Sequence, residues 1–231
     1  MASSQADATQ WVRSKKKRDH VLNHGDRILA FDVGQRDLGV CVVVVDKALR
    51  PPLRLEQWEV VDLGSGGTVR DSVRAFCQLV HSGRWDDVDV CVIEQQARVN
   101  IKMVALSHSI QASLLTHRPG MRVVFASSCH KFSVFQGMPG VDELVLSEKG
   151  ATGEKSTTSA YAQKKIRKVN AIRLVACLLA SMPDHQAFAE QMAQAKAHQK
   201  DDLADSLVYA AAYVFKNEDL GDTRHLEETK Y

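Results

Sequence analysis

Hydrophobic and polar positions along the chain follow two different rhythms. Two short apolar runs open the patterned region, near 27–34 ("RILAFDVG") and near 38–46 ("LGVCVVVVD"), joined by a turn containing Gly34 and Gly39. Their length and Val/Ile content predict strands. "LEQWEVVDL" (Leu55 to Leu63) predicts a third strand after the Pro51-Pro52 break, "VDVCVIE" (Val88 to Glu94) a fourth, and "MRVVFAS" (Met121 to Ser127) a fifth. Between them the period lengthens. "TVRDSVRAFCQLVHS" sets Val69, Val73, Phe76, Cys77 and Val80 on one helical stripe, and "NIKMVALSHSIQASLLTH" predicts a second helix. "KKIRKVNAIRLVACLLASM" reads as a helix with a basic first half and an apolar second half, and "QAFAEQMAQAKAHQ" as another. "DDLADSLVYAAAYVF" closes the core, because Leu203, Leu207, Ala210 and Val214 share a face at helical spacing. Three strands, helix, strand, helix, strand, helices: this order predicts a mixed α/β domain with a five-stranded sheet flanked by helices, not an alternating βαβ repeat.

Three stretches lack such patterning. Residues 1–26 are polar and carry the basic cluster "KKKR" (Lys15 to Arg18), which reads as a flexible arm. From Gly137 to about Ala160 the chain is rich in Gly, Ser and Thr, a long loop of the functional or disordered kind. Residues 218–231 form a polar tail, leaving 27–217 as one folded domain. At 231 residues, with 45% hydrophobic and 25% charged positions, the chain can bury a core without staples. The five cysteines are odd in number and form no Cys-x-x-Cys pair, which favours a reducing intracellular setting. No apolar run reaches membrane-spanning length, and the N-terminus has no secretory apolar stretch. A net charge of +2 says little, but "KKIRK" (Lys164 to Lys168) is a second concentrated basic patch, suited to solvent or to nucleic acid.

The acids are the chemistry of this chain. Asp32 lies inside a run that reads as buried, where an unpaired carboxylate is expensive. Glu94 ends the fourth strand, and both lie near C-terminal strand ends, the edge at which α/β sheets collect ligands. Asp201, Asp202 and Asp205 fall beside the core face of the last helix. Taken alone, Asp201 and Asp202 suit a helix N-terminus as caps. Four carboxylates from two strands and a helix require cations, and oxygen-only clusters select Mg²⁺ or Mn²⁺. Two such ions about 3.5–4 Å apart are a common device for phosphodiester hydrolysis.

"FDVGQRDLG", "VCVIEQQ" and "DDLADSLVYA", in this order, resemble the motifs of the RuvC-like Holliday junction resolvases, in the poxvirus, large-DNA-virus and fungal mitochondrial branch. The resemblance spans about 27–216. It implies an RNase H-like fold, Mg²⁺ with Mn²⁺ as a substitute, and a homodimer that cuts four-way junction DNA symmetrically in recombination or repair. It assigns metal binding and catalysis to Asp32, Glu94, Asp202 and Asp205, and leaves Asp201 as a cap. By segment it adds Lys131 as a catalytic lysine and Lys164, Lys165 and Lys168 as DNA contacts. Bacterial members have an aromatic residue soon after the motif glutamate. "EQQARVNIKM" has none, which makes Gln95, Gln96 or Arg98 the candidates for touching the junction there. The helix after Glu94, with Ile101, Val104, Ala105, His108 and Ala112 roughly on one face, is the candidate dimer patch, although that face could equally pack on the sheet.

Other readings compete. Asp-x-Gly with a following Gly also opens the phosphate hairpin of sugar kinases and actin-like ATPases, but those need two such domains. A related nuclease acting on flaps or RNA–DNA hybrids fits the same fold, as does a junction-binding module without catalysis. Cys129-His130 lacks a second ligand pair at zinc spacing. Phe132 and Phe135 read as core residues ahead of base-stacking ones.

Overall fold

The computed structural model describes residues 21–64, 67–127, 132–135, 160–183 and 185–217, without the side chains of 133 and 160–164. Five strands, β1 (Arg27–Val33), β2 (Asp37–Val45), β3 (Leu53–Asp62), β4 (Val90–Gln95) and β5 (Arg122–Ser127), form one sheet in the order β3-β2-β1-β4-β5. β1, β2 and β3 pair antiparallel as a meander, while β4 and β5 run parallel to β1. That order and sense are those of the RNase H-like fold. Helices α1 (Val69–His81), α2 (Ile101–His117), α3 (Ala160–Ala180), α4 (Gln186–Gln194) and α5 (Ala197–Asn217), with a 3₁₀ turn at Ser133–Phe135, complete the described architecture.

Strand alternation divides the core in two. Leu29, Phe31, Val33, Cys91 and Ile93 face one side, where α1 and α2 supply Phe76, Val80, Leu106 and Ile110. Phe31, Phe76 and Trp85 meet there as an aromatic trio with ring centroids 5.2–5.8 Å apart. Ile28, Ala30, Cys41, Val43, Val90 and Val92 face the other side, under Leu174 and Leu178 of α3 and Leu203, Leu207 and Val214 of α5. Phe132 and Phe135 join this second layer, so both are core residues. With a side-chain period of two, the next positions on that face are Asp32 on β1, Gly39 on β2 and Glu94 on β4. The same alternation that buries the strands aims the acids at α5.

The last helices depart from the pattern predicted above. α4 stops at Gln194, with Ala195 in an extended conformation (φ −60°, ψ 145°), and α5 begins at Ala197, four residues ahead of the predicted Asp201. The run "AQAKAHQ" has no Gly or Pro to mark the break, so periodicity reads across it. Tertiary contacts fix the break instead. Gln191 of α4 donates its amide to the Trp58 carbonyl on the outer strand β3, and the Trp58 indole donates to the Leu203 carbonyl of α5 at 2.7 Å.

Gly39 sets how closely α5 approaches the sheet. A Cβ added there would lie 2.3 Å from the Asp202 carbonyl oxygen and 3.2 Å from the Asp32 Cβ. Both obstacles are rigid, so Gly39→Ala is expected to push α5 outward at a cost of about 1–3 kcal/mol, the usual range for overpacking. Gly120→Ala, which meets nothing within 4 Å, is the matched control. Urea midpoints of the two variants against the parent check this; equal stability would mean that α5 is not held at the Gly39 contact.

Candidate active site

The site is assembled from β1, β2, β4 and α5. Asp32 enters near the C-terminal end of β1, opposite Gly39 of β2 in register. Glu94 enters from β4 on the same face, and its Oε2 accepts a 2.8 Å hydrogen bond from Gln96 Nε2. From α5 come Asp202 and Asp205, which stand three residues apart and therefore on one side of the helix. Leu203, Ala204 and Leu207, all fully or almost fully buried, anchor that part of α5 and leave the two acids half-buried at the sheet.

The electrostatics show how close these groups are. Burial first, then the charges of Asp205 and Glu94, a hydrogen bond with Glu94, and the charge of Asp202 hold the Asp32 carboxyl well above its ordinary value. Asp202 is pushed up to about 6 by burial, then by Asp37 and Asp201, against the opposing pull of Lys168. Behind the cluster, Tyr209 of α5 is 1% exposed. Its phenol is held well above its ordinary range by burial and by the charges of Glu94, Asp205 and Asp32. Asp32 thus lies within electrostatic reach of Glu94, Asp202 and Asp205 together. Among the described residues, no group of three or more His, Cys, Asp or Glu side chains is arranged to hold a metal ion as it stands.

Two residues at the site were not among those singled out from the sequence. Asp37, at the start of β2, adds a fifth carboxylate beside Asp202. Its signal was legible, since positions 37, 39, 41 and 43 share one strand face. Tyr209 gave no such signal, because a tyrosine on the core face of a helix is ordinary. Gln96, one of three candidates for touching the junction with Gln95 and Arg98, donates to Glu94 and so orients that carboxylate.

The remaining predicted residues scatter. Lys168, on α3, is half-buried and forms an ion pair with Asp201. Asp201 is therefore in the second turn of α5, paired to another helix, and the capping role assigned to it is overturned. The N–H groups it was to satisfy lie earlier, at residues 196–199, where the Lys196 N–H donates to the Gln199 Oε1 at 3.3 Å, and the Lys200 N–H already bonds the Lys196 carbonyl. Lys165 lies exposed on α3 and Arg98 exposed in the β4–α2 connection. Lys164 belongs to α3, with its side chain outside the described residues, as are Lys131 and Cys129-His130 altogether.

No protein-family model matches the chain, and no curated protein does. Solved structures do. Thermus thermophilus RuvC in complex with a Holliday junction substrate is 15% identical with a TM-score of 0.46, covering 82% of this chain and 93% of that one. A second Thermus thermophilus RuvC structure is 17% identical with a TM-score of 0.42, over 82% and 93%. The Fowlpox virus resolvase, solved as a complex with Holliday junction DNA, is 12% identical with a TM-score of 0.48, over 81% of this chain and 95% of that one.

The crowding of like charge has a measurable sign. A carboxyl with a folded-state pKa above its unfolded value holds its proton more tightly when folded, so its contribution is full at low pH and fades as pH rises. For Asp202 the window runs from 3.8 to about 6, and Asp32 extends it upward. The stability of chelator-treated protein is therefore expected to fall as pH rises through that window. Asp32→Asn should flatten the fall and raise stability at neutral pH by about 1–3 kcal/mol, the scale of a relieved buried polar penalty. Urea denaturation across pH checks both; a variant less stable than the parent at neutral pH would contradict the crowding.

Proposed function

We propose that the chain is a divalent-metal-dependent Holliday junction resolvase, an endonuclease that hydrolyses phosphodiester bonds in four-way junction DNA. The observation that carries the reading is Asp32. It is a buried strand carboxylate, its carboxyl held well above the ordinary range by that burial and then by the acids of two other elements, a costly arrangement that positive charge relieves. The donor set is all oxygen, which suits Mg²⁺ or Mn²⁺. Asp32, Glu94, Asp202 and Asp205 would hold the ions, two per site in this reading. Side-chain rotations would draw these groups together, while the Gly39 contact keeps their backbones fixed. Bound ions would supply charge stabilisation at the reacting phosphate.

The chain's own residues supply the rest. Gln96 holds one oxygen of Glu94 and so sets which lone pairs face the cluster. Tyr209 and the buried part of α5 exclude water from behind. Lys168, Lys164 and Lys165 on α3 and Arg98 beyond β4 would meet DNA phosphates, with Lys131 as the catalytic lysine. Cys41, Cys77, Cys91 and Cys177 are free thiols, as befits a protein of a reducing intracellular site of DNA metabolism. The alternative, a nuclease of flaps or RNA–DNA hybrids, shares the site and differs in what it cuts.

Two nicks on opposing strands need two such sites, hence a two-fold dimer. On α2, Met103, Leu106, Ile110 and Leu114 are buried against the sheet, so Ala105, His108 and Ala112 face outward. That outward face is the proposed dimer patch.

Labelled four-way junctions, forks and RNA–DNA hybrids, each with Mg²⁺ and with chelator, test the function. Paired cuts in the junction are expected in Mg²⁺ alone. Asp32→Asn should lose several kcal/mol of rate acceleration, about a hundredfold or more, with junction binding kept. Preferential cutting of hybrids would move the reading to the alternative, and near-parental cutting by Asp32→Asn would remove the metal assignment. For the dimer, Ala105→Glu should sediment as a monomer and leave cruciform plasmids singly nicked. A parent that sediments as a monomer both free and on the junction would dispose of the two-fold arrangement.

A further inference from the structure

The edge of the sheet opposite the carboxylates carries a second group of chemically able side chains. Strands β4 and β5 begin at that edge, and Glu94 lies four residues, about 13 Å, further along β4. Helices α1 and α2 end there on His81 and His117. One turn earlier the two helices touch, with Cys77 Sγ 3.2 Å from Ser113 Oγ. The imidazole centres stand 5.7 Å apart. Arg118 ties the end of α2 to the α1–β4 connection by donating to the Val88 carbonyl at 3.1 Å. Gly83, at φ +74°, turns the chain out of α1, and the Asp86 N–H closes that turn on the Gly83 carbonyl at 3.2 Å. The Asp86 carboxylate is thereby set against His117, Oδ1 to Nε2, at 2.9 Å.

These hydrogen bonds decide which nitrogen of each ring is free. A carbonyl only accepts, so His81 Nδ1, 2.6 Å from the Cys77 carbonyl, carries the proton and donates. A carboxylate also accepts, so His117 donates to Asp86 from Nε2. In each neutral imidazole the lone pair then sits on the other nitrogen, Nε2 of His81 and Nδ1 of His117. Neither of these has a hydrogen-bond partner among the described residues. Ligating histidines are prepared in this way, with one N–H held by a carbonyl or carboxylate and the opposite nitrogen presented to a metal. Two imidazoles that share an ion through bonds of about 2.0–2.1 Å have ring centres roughly 5–6 Å apart, which is the spacing found. The C-terminal ends of α1 and α2 are the negative ends of their dipoles and favour a cation at the same place.

We propose that His81 Nε2 and His117 Nδ1 bind one divalent transition-metal ion between them, at a site separate from the carboxylates. Imidazole donors suit Zn²⁺, Cu²⁺ and Ni²⁺, whereas Mg²⁺ is left to oxygen. Among the described residues no third His, Cys, Asp or Glu is arranged with the pair as a ligand, so water completes the coordination and the site stays open. Asp86 is a positioning residue that holds the His117 ring and its tautomer. An ion there staples the end of α1 to the end of α2 and stabilises the folded chain in proportion to its occupancy.

The test titrates the full-length protein with Zn²⁺ in excess Mg²⁺, by calorimetry. One Zn²⁺ site is expected, weakened about tenfold or more in His81→Ala, in His117→Ala and in Asp86→Ala. Asp86→Asn, which keeps an acceptor for the ring N–H, should recover most of its loss. His198→Ala, which removes an exposed imidazole elsewhere, should bind as the parent does. Half an equivalent of Cu²⁺ should give the electron-spin-resonance pattern of two imidazole nitrogens. Zn²⁺ should raise the urea midpoint of the parent and leave that of His81→Ala unmoved. Equal Zn²⁺ affinity in the parent and both histidine variants overturns the site, as does a Cu²⁺ pattern from a single nitrogen. Parental affinity in Asp86→Ala overturns the role given to Asp86. None of these outcomes depends on junction cutting, so a chain that resolves junctions but binds no Zn²⁺ through these rings loses this site alone.

Discussion

The site depends on one close approach, that of the α5 backbone to β2 at Gly39. Any side chain at that position would collide with the Asp202 carbonyl. Because it is absent, Asp202 and Asp205 descend to the level of Asp32, and the Leu203 carbonyl comes within reach of the Trp58 indole on β3. The helix is thereby fixed at two points on the sheet, Gly39 and Trp58, on neighbouring strands. Packing of Leu203, Leu207 and Val214 then follows from that placement. A helix on a sheet ordinarily leaves room for intervening side chains; here the acids need that room closed.

The close approach works against the electrostatics it creates. Asp32, Asp37, Glu94, Asp202 and Asp205 are gathered where burial weakens their hydration, and the result is a carboxyl at Asp32 held well above its ordinary value and another at Asp202 lifted to about 6. Lys168 relieves part of this from α3, but its ion pair is with Asp201, so its charge is already shared. The fold holds the cluster by force of packing on both sides of the sheet. Destabilised acids at a rigid edge are the signature of a site built for a charged occupant.

Much of this was legible in the residues before any coordinates. The strand order of short Val-rich runs, the stripe of Phe76 and Val80, and the period-two placement of Asp32 and Glu94 are local properties, and local properties survive folding. The boundaries near Asp201 were not legible, because an alanine-rich run with no Gly or Pro gives no stop signal and the break is made by Gln191 and Trp58, distant in sequence. Misplacing the helix start made Asp201 look like a cap when it is a partner for Lys168. Asp37 was missed for a different reason. Its face follows from Gly39 by alternation, but a strand's first residue is usually read as turn. Tyr209 lay beyond sequence reasoning, since only the fold tells a core tyrosine from one that backs a carboxylate cluster.

On the reading proposed above, a phosphodiester brought to these acids meets negative charge with negative charge, so the surrounding surface has to deliver it. The distribution along the chain does this by segregation and not by net charge, which at +2 is almost neutral. The acids cluster on β1, β2, β4 and α5, while the stretch from Gln95 to Val141 contains none. That stretch leaves the site at the C-terminal edge of the sheet and includes Arg98 and Lys102, both exposed. On the α3 side, Lys165, Arg167 and Arg173 are exposed in the same manner. The acidic cluster is thus bordered by cationic surface on two elements. A polyanion can be held along those borders at a distance set by phosphate contacts, with only the scissile group exposed to the acids and to whatever cations they gather. Attraction at the rim and repulsion at the centre make binding separable from chemistry, so neutralising one central acid should leave affinity intact or raise it while removing the reaction.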